Sequence, residues 1–299
     1  MTDKNRLRRT MMFVSAQTPG LMKEAYIYGP DSIIFDLEDA VAENQKDAAR
    51  FSLYHALKTV DFMGCERIVR INGLETPHWH EDIRAAIAGG IDGIRIAKCD
   101  SADDVKKAEY QIELAEIEFG REKGSTLIIA ALESPLGILN AFEICKASKR
   151  LAGIAISGGD LRKSMQTKYY PSGNEIIVAR GQVLLAARAS GVQAYDTVFT
   201  DFNDMDGFRD DVTVAKEMGF DGKSVVTPRQ IQIVHEVFAP SEKEIIEAER
   251  IVRAIRSRAE EGVGIFTLDG KMLDIAFLPG AERVLALAKA SGRYEGELV

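Results

Sequence analysis

Short apolar segments alternate with longer helical patterns along most of this chain of 299 residues. Each apolar segment is rich in Ile, Val, Leu or Phe and is bounded by Gly, Asp, Pro or Ser, which predicts strands buried on both faces of a parallel sheet. The predicted strands cover residues 10–14, 32–38, 67–71, 93–97, 126–133, 153–157, 194–198 and 222–226. Eight strand-then-helix repeats predict an α/β fold, a (β/α)8 TIM barrel, with a doubly wound open sheet as the alternative.

Apolar residues at helical spacing predict the connecting helices and the organisation of the C-terminal part. The helices between strands cover residues 44–59, 102–119, 135–148, 174–190 and 206–218. After residue 228 a helix breaks near Pro240, and a charged amphipathic helix over 242–258, a turn at Asp269–Gly270 and a final helix near 279–290 follow. We therefore expect a barrel domain over residues 1–240, with residues 241–299 as a helical and lid extension of the same domain.

Charge and cysteine content exclude several classes of protein. Asp and Glu number 46 against 38 Lys and Arg, a net charge of −8, whereas a nucleic-acid-binding protein normally carries a basic face. Three cysteines without CxxC spacing favour a reducing compartment over a disulfide framework or structural zinc. The apolar runs fall short of the roughly twenty residues that span a bilayer, and the N-terminus lacks the apolar core of a secretory signal. We expect a cytoplasmic protein that binds neither nucleic acid nor membranes.

Acidic residues follow three of the predicted strands at their carboxyl ends, which form the mouth of such a barrel and carry its reactive groups. Asp36 and Glu38 end the second strand and, by strand alternation, point to the same side. Glu133 ends the fifth strand and Asp160 follows the sixth. Four carboxylates at one mouth repel one another unless a cation neutralises them, and oxygen ligands favour Mg²⁺ or Mn²⁺. The alternative is that each carboxylate caps a helix or faces water.

Basic residues occur in two places with possible chemical roles. Arg70, at the end of the third strand, is a fixed cation suited to holding a carboxylate or stabilising an enolate oxygen. A salt bridge to Asp36 or Glu38 is the structural alternative and does not exclude that role. The basic cluster over residues 6–9 predicts either contact with a phosphorylated ligand or a solvated arm.

Seven segments spread over nearly the whole chain form a distinctive set. They read LRRTMMFV (7–14), IFDLEDAV (34–41), IVRING (68–73), ALESPLG (131–137), GFDGKS (219–224), TPRQI (227–231) and GKMLD (270–274). Together they resemble the citrate lyase β-subunit family, within the acyl-CoA lyases and HpcH/HpaI-like aldolases. The related malyl-, citramalyl- and β-methylmalyl-CoA lyases share this pattern. The resemblance implies a (β/α)8 barrel and Mg²⁺-dependent carbon–carbon cleavage.

The resemblance also implies roles for the residues at the barrel mouth. Glu133 and Asp160 would be the metal ligands. Asp36 and Glu38 would order metal-bound waters. Arg70 would bind the keto-acid oxygen or the enolate.

Four further residues complete the site by position. We assign substrate binding to Arg9, Lys98 and Ser134 together with Arg70. Asp274, in the C-terminal segment, resembles an acid/base aspartate that a neighbouring subunit supplies. This role would explain the function of the lid extension. A lid that serves a neighbour implies a homo-oligomer, a trimer or a hexamer.

The activity implied by the resemblance is cleavage of a citryl thioester into oxaloacetate and an acetyl thioester. The thioester would be carried on coenzyme A or on an acyl-carrier protein, and the α (transferase) and γ (carrier) subunits of citrate lyase are the implied partners. Mg²⁺ is the expected cofactor, with Mn²⁺ as a substitute and no redox cofactor. A stand-alone citramalyl-CoA or malyl-CoA lyase and a non-catalytic paralogue of the β subunit are the alternatives.

Three departures from the family pattern lie at the predicted mouth. Ser15 and Gln17 stand in a segment where the family usually has Val-Pro-Gly-Ala. Gly159 stands where the family commonly has a glutamate, and Ala97 replaces a proline of the fourth strand. Because of their position, we expect these residues to alter substrate contacts more than folding.

Overall fold

The computed structural model describes residues 6–298. The chain divides between Val234 and His235 into two compact units, the first of which contains the eight strands of a barrel. Along the described part of the chain, no helix is both long and apolar enough to cross a membrane.

Eight parallel strands of the first unit form a closed barrel, in which each strand pairs with the next in sequence and the last pairs with the first. The strands are β1 (Thr10–Ser15), β2 (Ser32–Asp36), β3 (Glu66–Ile71), β4 (Gly93–Ile96), β5 (Leu127–Leu132), β6 (Leu151–Ile156), β7 (Gln193–Asp196) and β8 (Gly222–Val225). The closed order confirms the (β/α)8 barrel, because an open sheet would leave two edge strands unpaired.

Apolar side chains fill the interior of the barrel. One buried cluster draws residues from six strands: Met11, Ile34, Ile68, Ile129, Ala155 and Tyr195. β5 and β6 are buried along their whole length. One face of each strand points into the barrel and the other is covered, which explains why these segments are apolar without alternation.

The helices of the first unit connect successive strands. They are α1 (Pro19–Glu24), α2 (Lys46–Thr59), α3 (Trp79–Gly89), α4 (Ala102–Glu118), α5 (Pro135–Leu139), α6 (Ala141–Lys146), α7 (Gly158–Ser164), α8 (Ile177–Ser190) and α9 (Met205–Met218), and α10 (Pro228–Phe238) spans the point of division. α9 is followed by Gly219, whose φ of +100° favours glycine, and the chain then turns into β8.

The second unit is a pair of helices with a β-hairpin. Its elements are α11 (Glu242–Glu260), β9 (Ile265–Leu268), β10 (Lys271–Asp274) and α12 (Leu278–Ala290). The helices share an apolar cluster that includes Ile245, Val252 and Leu285. β9 and β10 pair antiparallel, which confirms the predicted turn at Asp269–Gly270.

Candidate active site

Polar side chains replace the apolar filling at the carboxyl end of the barrel. Asp36 of β2 pairs in register with Arg70 of β3, which pairs in turn with Arg95 of β4. These strands border a cavity of about 330 Å³, whose lining includes Phe13, Asp36, Arg70, Arg95 and Ser224. Catalytic groups of (β/α)8 barrels lie at this end, and the volume is at the lower end of the range for small-ligand pockets. This mouth is therefore the candidate active site.

Arg70 is held by two carboxylates. Its Nε and Nη2 donate to the two carboxylate oxygens of Asp36 at 2.8 and 2.6 Å, and its Nη1 lies 2.8 Å from Oε2 of Glu38. Burial alone would raise the pKa of Asp36, but the hydrogen bonds and charge of Arg70 outweigh it and hold that pKa below its usual value. The salt bridges considered as an alternative are therefore present, and they fix the Arg70 guanidinium beside the cavity.

Glu38 reaches Arg70 from a loop rather than from a strand. Asp36 and Glu38 point to the same side, as predicted, because both contact Arg70. The predicted reason was wrong, since β2 ends at Asp36 and strand alternation does not reach Glu38. The side chains meet because the loop is held in place. Lys46 Nζ donates to the backbone carbonyls of Glu38 and of the residue before it, each at 2.8 Å. Lys98 Nζ donates to Oε1 of Glu38 at 2.5 Å.

Lys98 adds a second cation to the mouth, as predicted from its position after β4. Its backbone φ is +49°, which is uncommon for a residue other than glycine. The side chain is 39% exposed. Burial would lower the pKa of Lys98, but the hydrogen bond and charge of Glu38 outweigh it and raise that pKa above its usual value. Lys98 therefore stays protonated at neutral pH and available to solvent.

Glu133 is a buried carboxylate whose bonding is incomplete. It directly follows β5 and is 2% exposed, and neither carboxylate oxygen has a hydrogen-bond partner among residues 6–298. Burial, with the negative charges of Glu38 and Asp160, raises the pKa of Glu133 to about 7. A buried carboxylate without partners costs free energy unless a proton or a cation compensates it. Glu133 can therefore accept a metal ion.

Asp160 lies in the first turn of a helix rather than at a strand end. β6 ends at Ile156 and α7 begins at Gly158, so the segment 157–160 belongs mainly to the helix. The charge of Asp160 nevertheless acts on Glu133 and helps to raise its pKa. The structure thus brings the two predicted metal ligands into one region.

These two carboxylates suit Mg²⁺ without forming a complete protein cage. No group of three or more His, Cys, Asp or Glu side chains in the described part of the chain is arranged to hold a metal ion. Mg²⁺ commonly binds through one or two carboxylates and completes its shell with water and substrate oxygens. The unpartnered oxygens of Glu133 are the observation that fits such a site best, and the assignment of Glu133 and Asp160 as ligands stays a prediction.

Ser134 and Arg9 lie at opposite ends of the barrel. Ser134 follows Glu133 and caps α5, and its hydroxyl donates to Asp100. Arg9 precedes β1 and pairs through Nε and Nη2 with both carboxylate oxygens of Asp31, at 2.9 and 2.8 Å. Arg9 and Asp31 come before the first residues of their strands, so the structure does not bring Arg9 to the mouth.

Asp274 is the last residue of β10 and belongs to the second unit. Its Oδ1 accepts the backbone N–H of Ala276 at 2.8 Å and so caps a short 3-10 helix over Ile275–Phe277. This bond fixes the side chain within its own unit. A role toward a neighbouring subunit stays a prediction.

Arg95 is a residue at the mouth that the sequence patterns did not reveal. It is 2% exposed, and its guanidinium carbon lies 5.1 Å from the ring centroid of Phe13, while that of Arg70 lies 5.0 Å from the same ring. Burial and the charge of Arg70 lower the pKa of Arg95 to about 10. The signal in the sequence was a charged residue inside an otherwise apolar strand, since arginine is rarely buried unless it is paired.

Comparison with known proteins identifies similar chains over nearly the full length. Residues 9–228 match the model of a family described as HpcH/HpaI aldolase/citrate lyase. The citrate lyase subunit beta of Leuconostoc mesenteroides subsp. cremoris is 47% identical over 295 residues, which cover 99% of this chain and 98% of that protein. The citrate lyase subunit beta of Escherichia coli strain K12 is 43% identical over 292 residues, covering 98% and 97%.

A solved structure shows the same architecture. The crystal structure of CitE from Mycobacterium tuberculosis, in complex with magnesium, acetoacetate and coenzyme A, matches this chain with a TM-score of 0.76. The sequences are 29% identical, and the match covers 96% of this chain and 100% of the other. The likeness therefore extends over both units of the chain.

Proposed function

This chain belongs to the HpcH/HpaI aldolase/citrate lyase family, and on that premise we propose that it is a Mg²⁺-dependent carbon–carbon lyase that cleaves a citryl thioester to oxaloacetate and an acetyl thioester. The observation that carries the proposal is Glu133, a buried carboxylate without a hydrogen-bond partner among the described residues. Its charge interacts with those of Arg70 and Arg95, two arginines that line a small cavity. This arrangement fits a metal ion together with a substrate rich in carboxylates. The two subunit-beta relatives and the magnesium-containing neighbour support the same activity.

Glu133 and Asp160 are the residues that would hold Mg²⁺. Asp36 and Glu38 are already engaged by Arg70 and Lys98, so they would act on the ion from outside its inner shell. When bound, Mg²⁺ supplies a Lewis acid that polarises the substrate's hydroxyl and the carboxylate beside it. Mn²⁺, which accepts the same oxygen ligands, is the expected substitute.

The reaction breaks the bond between the carbinol carbon and the methylene carbon next to the thioester. The hydroxyl loses its proton and becomes the ketone of oxaloacetate, while the electron pair of the broken bond leaves on the acetyl thioester as an enolate. A proton added to the enolate carbon completes the acetyl thioester. One proton is released and one is taken up, and no electrons pass to a cofactor.

Arg70 is the cation placed for the negative charge that develops during cleavage. Because Asp36 and Glu38 already hold its guanidinium, little reorganisation is needed as that charge appears. Lys98 and Ser134 supply polar groups at the same end of the barrel for the rest of the substrate.

The remaining steps require a second copy of the chain. We propose that Asp274 of a neighbouring copy supplies the proton for the enolate carbon, with residues 241–299 acting as a lid in a trimer or hexamer. The thioester would be carried on coenzyme A or on an acyl-carrier protein, in association with the transferase and carrier subunits of citrate lyase. Three free cysteines support a reducing compartment, the cytoplasm, as the place of action.

A direct lyase assay tests this function. The purified protein is given Mg²⁺ with citryl-CoA or with a citryl-carrier protein, and oxaloacetate is measured through its reduction by malate dehydrogenase. We expect oxaloacetate from at least one thioester, a loss of activity with EDTA, and recovery with added Mg²⁺. Glu133→Gln should abolish the activity in a folded protein, whereas Glu143→Gln, the same change at an exposed position of α6, should not. No oxaloacetate from either thioester would contradict the proposal.

A further inference from the structure

Arg95 is a buried cation whose hydrogen-bonding capacity is unused. Its Nε and Nη1 have no hydrogen-bond partner anywhere in the described chain, although the residue is 2% exposed. Leaving a buried guanidinium unpaired is strongly unfavourable, as is removing one partner of a buried ion pair. Such a residue persists where a ligand completes its bonding.

Neighbouring carboxylates do not hydrogen-bond to it. Glu133 acts on Arg95 through its charge more than Asp36 or Glu38 does, but both Glu133 oxygens also lack a hydrogen-bond partner among residues 6–298. Asp36 is engaged by Arg70 through both carboxylate oxygens, and Glu38 is engaged by Arg70 and Lys98. Burial lowers the pKa of Arg95 to about 10, so the guanidinium still carries its charge at neutral pH. Arg95 therefore presents a protonated donor that these carboxylates leave unused.

Arg95 also faces the space in which a small ligand fits. It lines the mouth cavity of about 330 Å³ together with Arg70 and Ser224. The Ser224 hydroxyl is likewise buried and has no hydrogen-bond partner within residues 6–298. Two unpartnered polar groups thus line one cavity, as expected where a polar ligand group is bound.

The proposed substrate carries one free carboxylate to which no buried cation has been assigned. A citryl thioester has two free carboxylates, one beside the hydroxyl and one on a separate methylene. The first, together with the hydroxyl, is the group that a bound Mg²⁺ would polarise. The second requires its own cation, because a carboxylate buried in the cavity without a partner is strongly disfavoured.

We propose that Arg95 binds this second carboxylate, with Ser224 as an additional donor, and thereby selects citryl thioesters over analogues that carry a methyl group or hydrogen in place of the carboxymethyl group. The inference rests on the proposed lyase function and adds the residue that defines its substrate. A guanidinium suits the task because it presents several donors in the plane of a carboxylate. An analogue without the carboxylate would leave Arg95 buried and unpaired, and so would bind poorly.

The test compares two substrates and two variants in the presence of Mg²⁺. Wild type should cleave citryl-CoA, which yields oxaloacetate, far better than citramalyl-CoA, which yields pyruvate. Arg95→Gln should lower kcat/KM for citryl-CoA on the order of 100-fold, the effect of removing one partner of a buried charge pair, and should change citramalyl-CoA cleavage by only a few-fold. Arg95→Lys, which keeps the charge, should recover part of the citryl-CoA activity. Arg84→Gln, a change at an exposed arginine of α3, should leave the ratio unchanged.

A binding measurement separates this inference from the lyase proposal. Calorimetry should show that wild type binds oxaloacetate more tightly than pyruvate and that Arg95→Gln loses this difference, with folding checked by circular dichroism. That result would support the inference even if neither thioester were cleaved, an outcome that counts against the lyase function alone. Equal losses on both substrates in Arg95→Gln, or equal binding of oxaloacetate and pyruvate by wild type, would overturn the inference.

Discussion

Protonation of Glu133 makes the stability of the metal-free protein depend on pH. In the folded chain burial raises the pKa of Glu133 to about 7, whereas a glutamate in an unfolded chain ionises near ~4.3. Between these values the folded state holds a proton that the unfolded state has released. The protonated carboxyl therefore stabilises the metal-free protein fully below the unfolded pKa, and this contribution is lost as the pH rises through 7.

We predict that metal-free Glu133→Gln melts at a higher temperature than wild type at pH 8, since the variant has no buried charge. The advantage corresponds to roughly 4 kcal/mol at most, and it should shrink as the pH falls toward about 4.5. Melting curves in EDTA between about pH 5 and pH 8 measure it. Added Mg²⁺ should raise the melting temperature of wild type alone. A difference that stays constant across this pH range would contradict the role of burial at Glu133.

The contrast between Arg70 and Arg95 shows what single residues reveal before a structure is known. Arg70 could be recognised from sequence because it lies at the end of a predicted strand and within a segment that resembles the family. Arg95 lies two positions after Gly93 within an apolar strand, and only the barrel register shows that it stands beside Arg70 at the mouth. Its missing hydrogen-bond partners are a property of three-dimensional packing that no sequence pattern contains.

The loop after β2 places Glu38 beside Asp36, the last residue of the strand, so that both carboxylates contact Arg70. Lys46, the first residue of α2, donates to two consecutive backbone carbonyls of this loop. Ser15 donates to the carbonyl of Ala40, and the side chain of Gln17 accepts the N–H of Ala42. Two of the departures from the family pattern therefore help to fix this loop, which is a contact that the sequence did not predict.

We predict that Lys46→Met lowers kcat/KM of the lyase reaction by roughly 10- to 100-fold, the usual effect of losing a residue that orients a site residue. The methionine fills the buried position but leaves both carbonyls without their donor, so the backbone at Glu38 loosens. Steady-state kinetics with citryl-CoA measure the effect. Lys58→Met, at an exposed position of the same helix, serves as the control. Wild-type kinetics in Lys46→Met would show that the loop is held by other contacts.

Helices were predicted well where the apolar periodicity extends over many residues. They were predicted poorly where the backbone conformation depends on only a few residues. The helices α2, α4, α8 and α9 agree with their predicted positions within about three residues. The short helices α1 and α7 were not predicted, because each has too few residues to show a period. One predicted helix over 135–148 is divided at Asn140, whose backbone departs from helical geometry and separates α5 from α6.

At the scale of the whole molecule, the fold of the first unit could be predicted because its strand-helix pattern is repeated. Eight strand-helix repeats have few compact arrangements, and a closed barrel buries every strand edge. The second unit has no such repeat. Its helices and hairpin could be located from periodicity and turn residues, but the role of Asp274 came only from family resemblance. If Asp274 acts in the site of a neighbouring copy, its role exists only in the oligomer. Neither the sequence nor the structure of one chain contains that contact.

Oligomers that contain two different variant chains test whether Asp274 acts in the site of a neighbouring copy. We predict that Asp274→Ala and Glu133→Gln are each inactive alone but recover activity when the two chains are co-expressed with different tags and purified as hybrids. If each site combines the barrel of one copy with Asp274 of the next, random mixing followed by removal of the unmixed oligomers leaves about one third of the sites intact in a trimer and about one quarter in a hexamer. The oxaloacetate assay on purified hybrids should therefore show roughly a quarter to a third of the wild-type rate per site.

The control hybrid combines Glu133→Gln with Asp160→Asn. Both defects lie in the barrel, so every site in that hybrid keeps one of them and no activity should return. If Asp274 served its own chain, the first hybrid would also remain inactive, because no site would unite an intact barrel with an intact Asp274. Substantial activity in Asp274→Ala alone would instead show that another group delivers the proton to the enolate carbon.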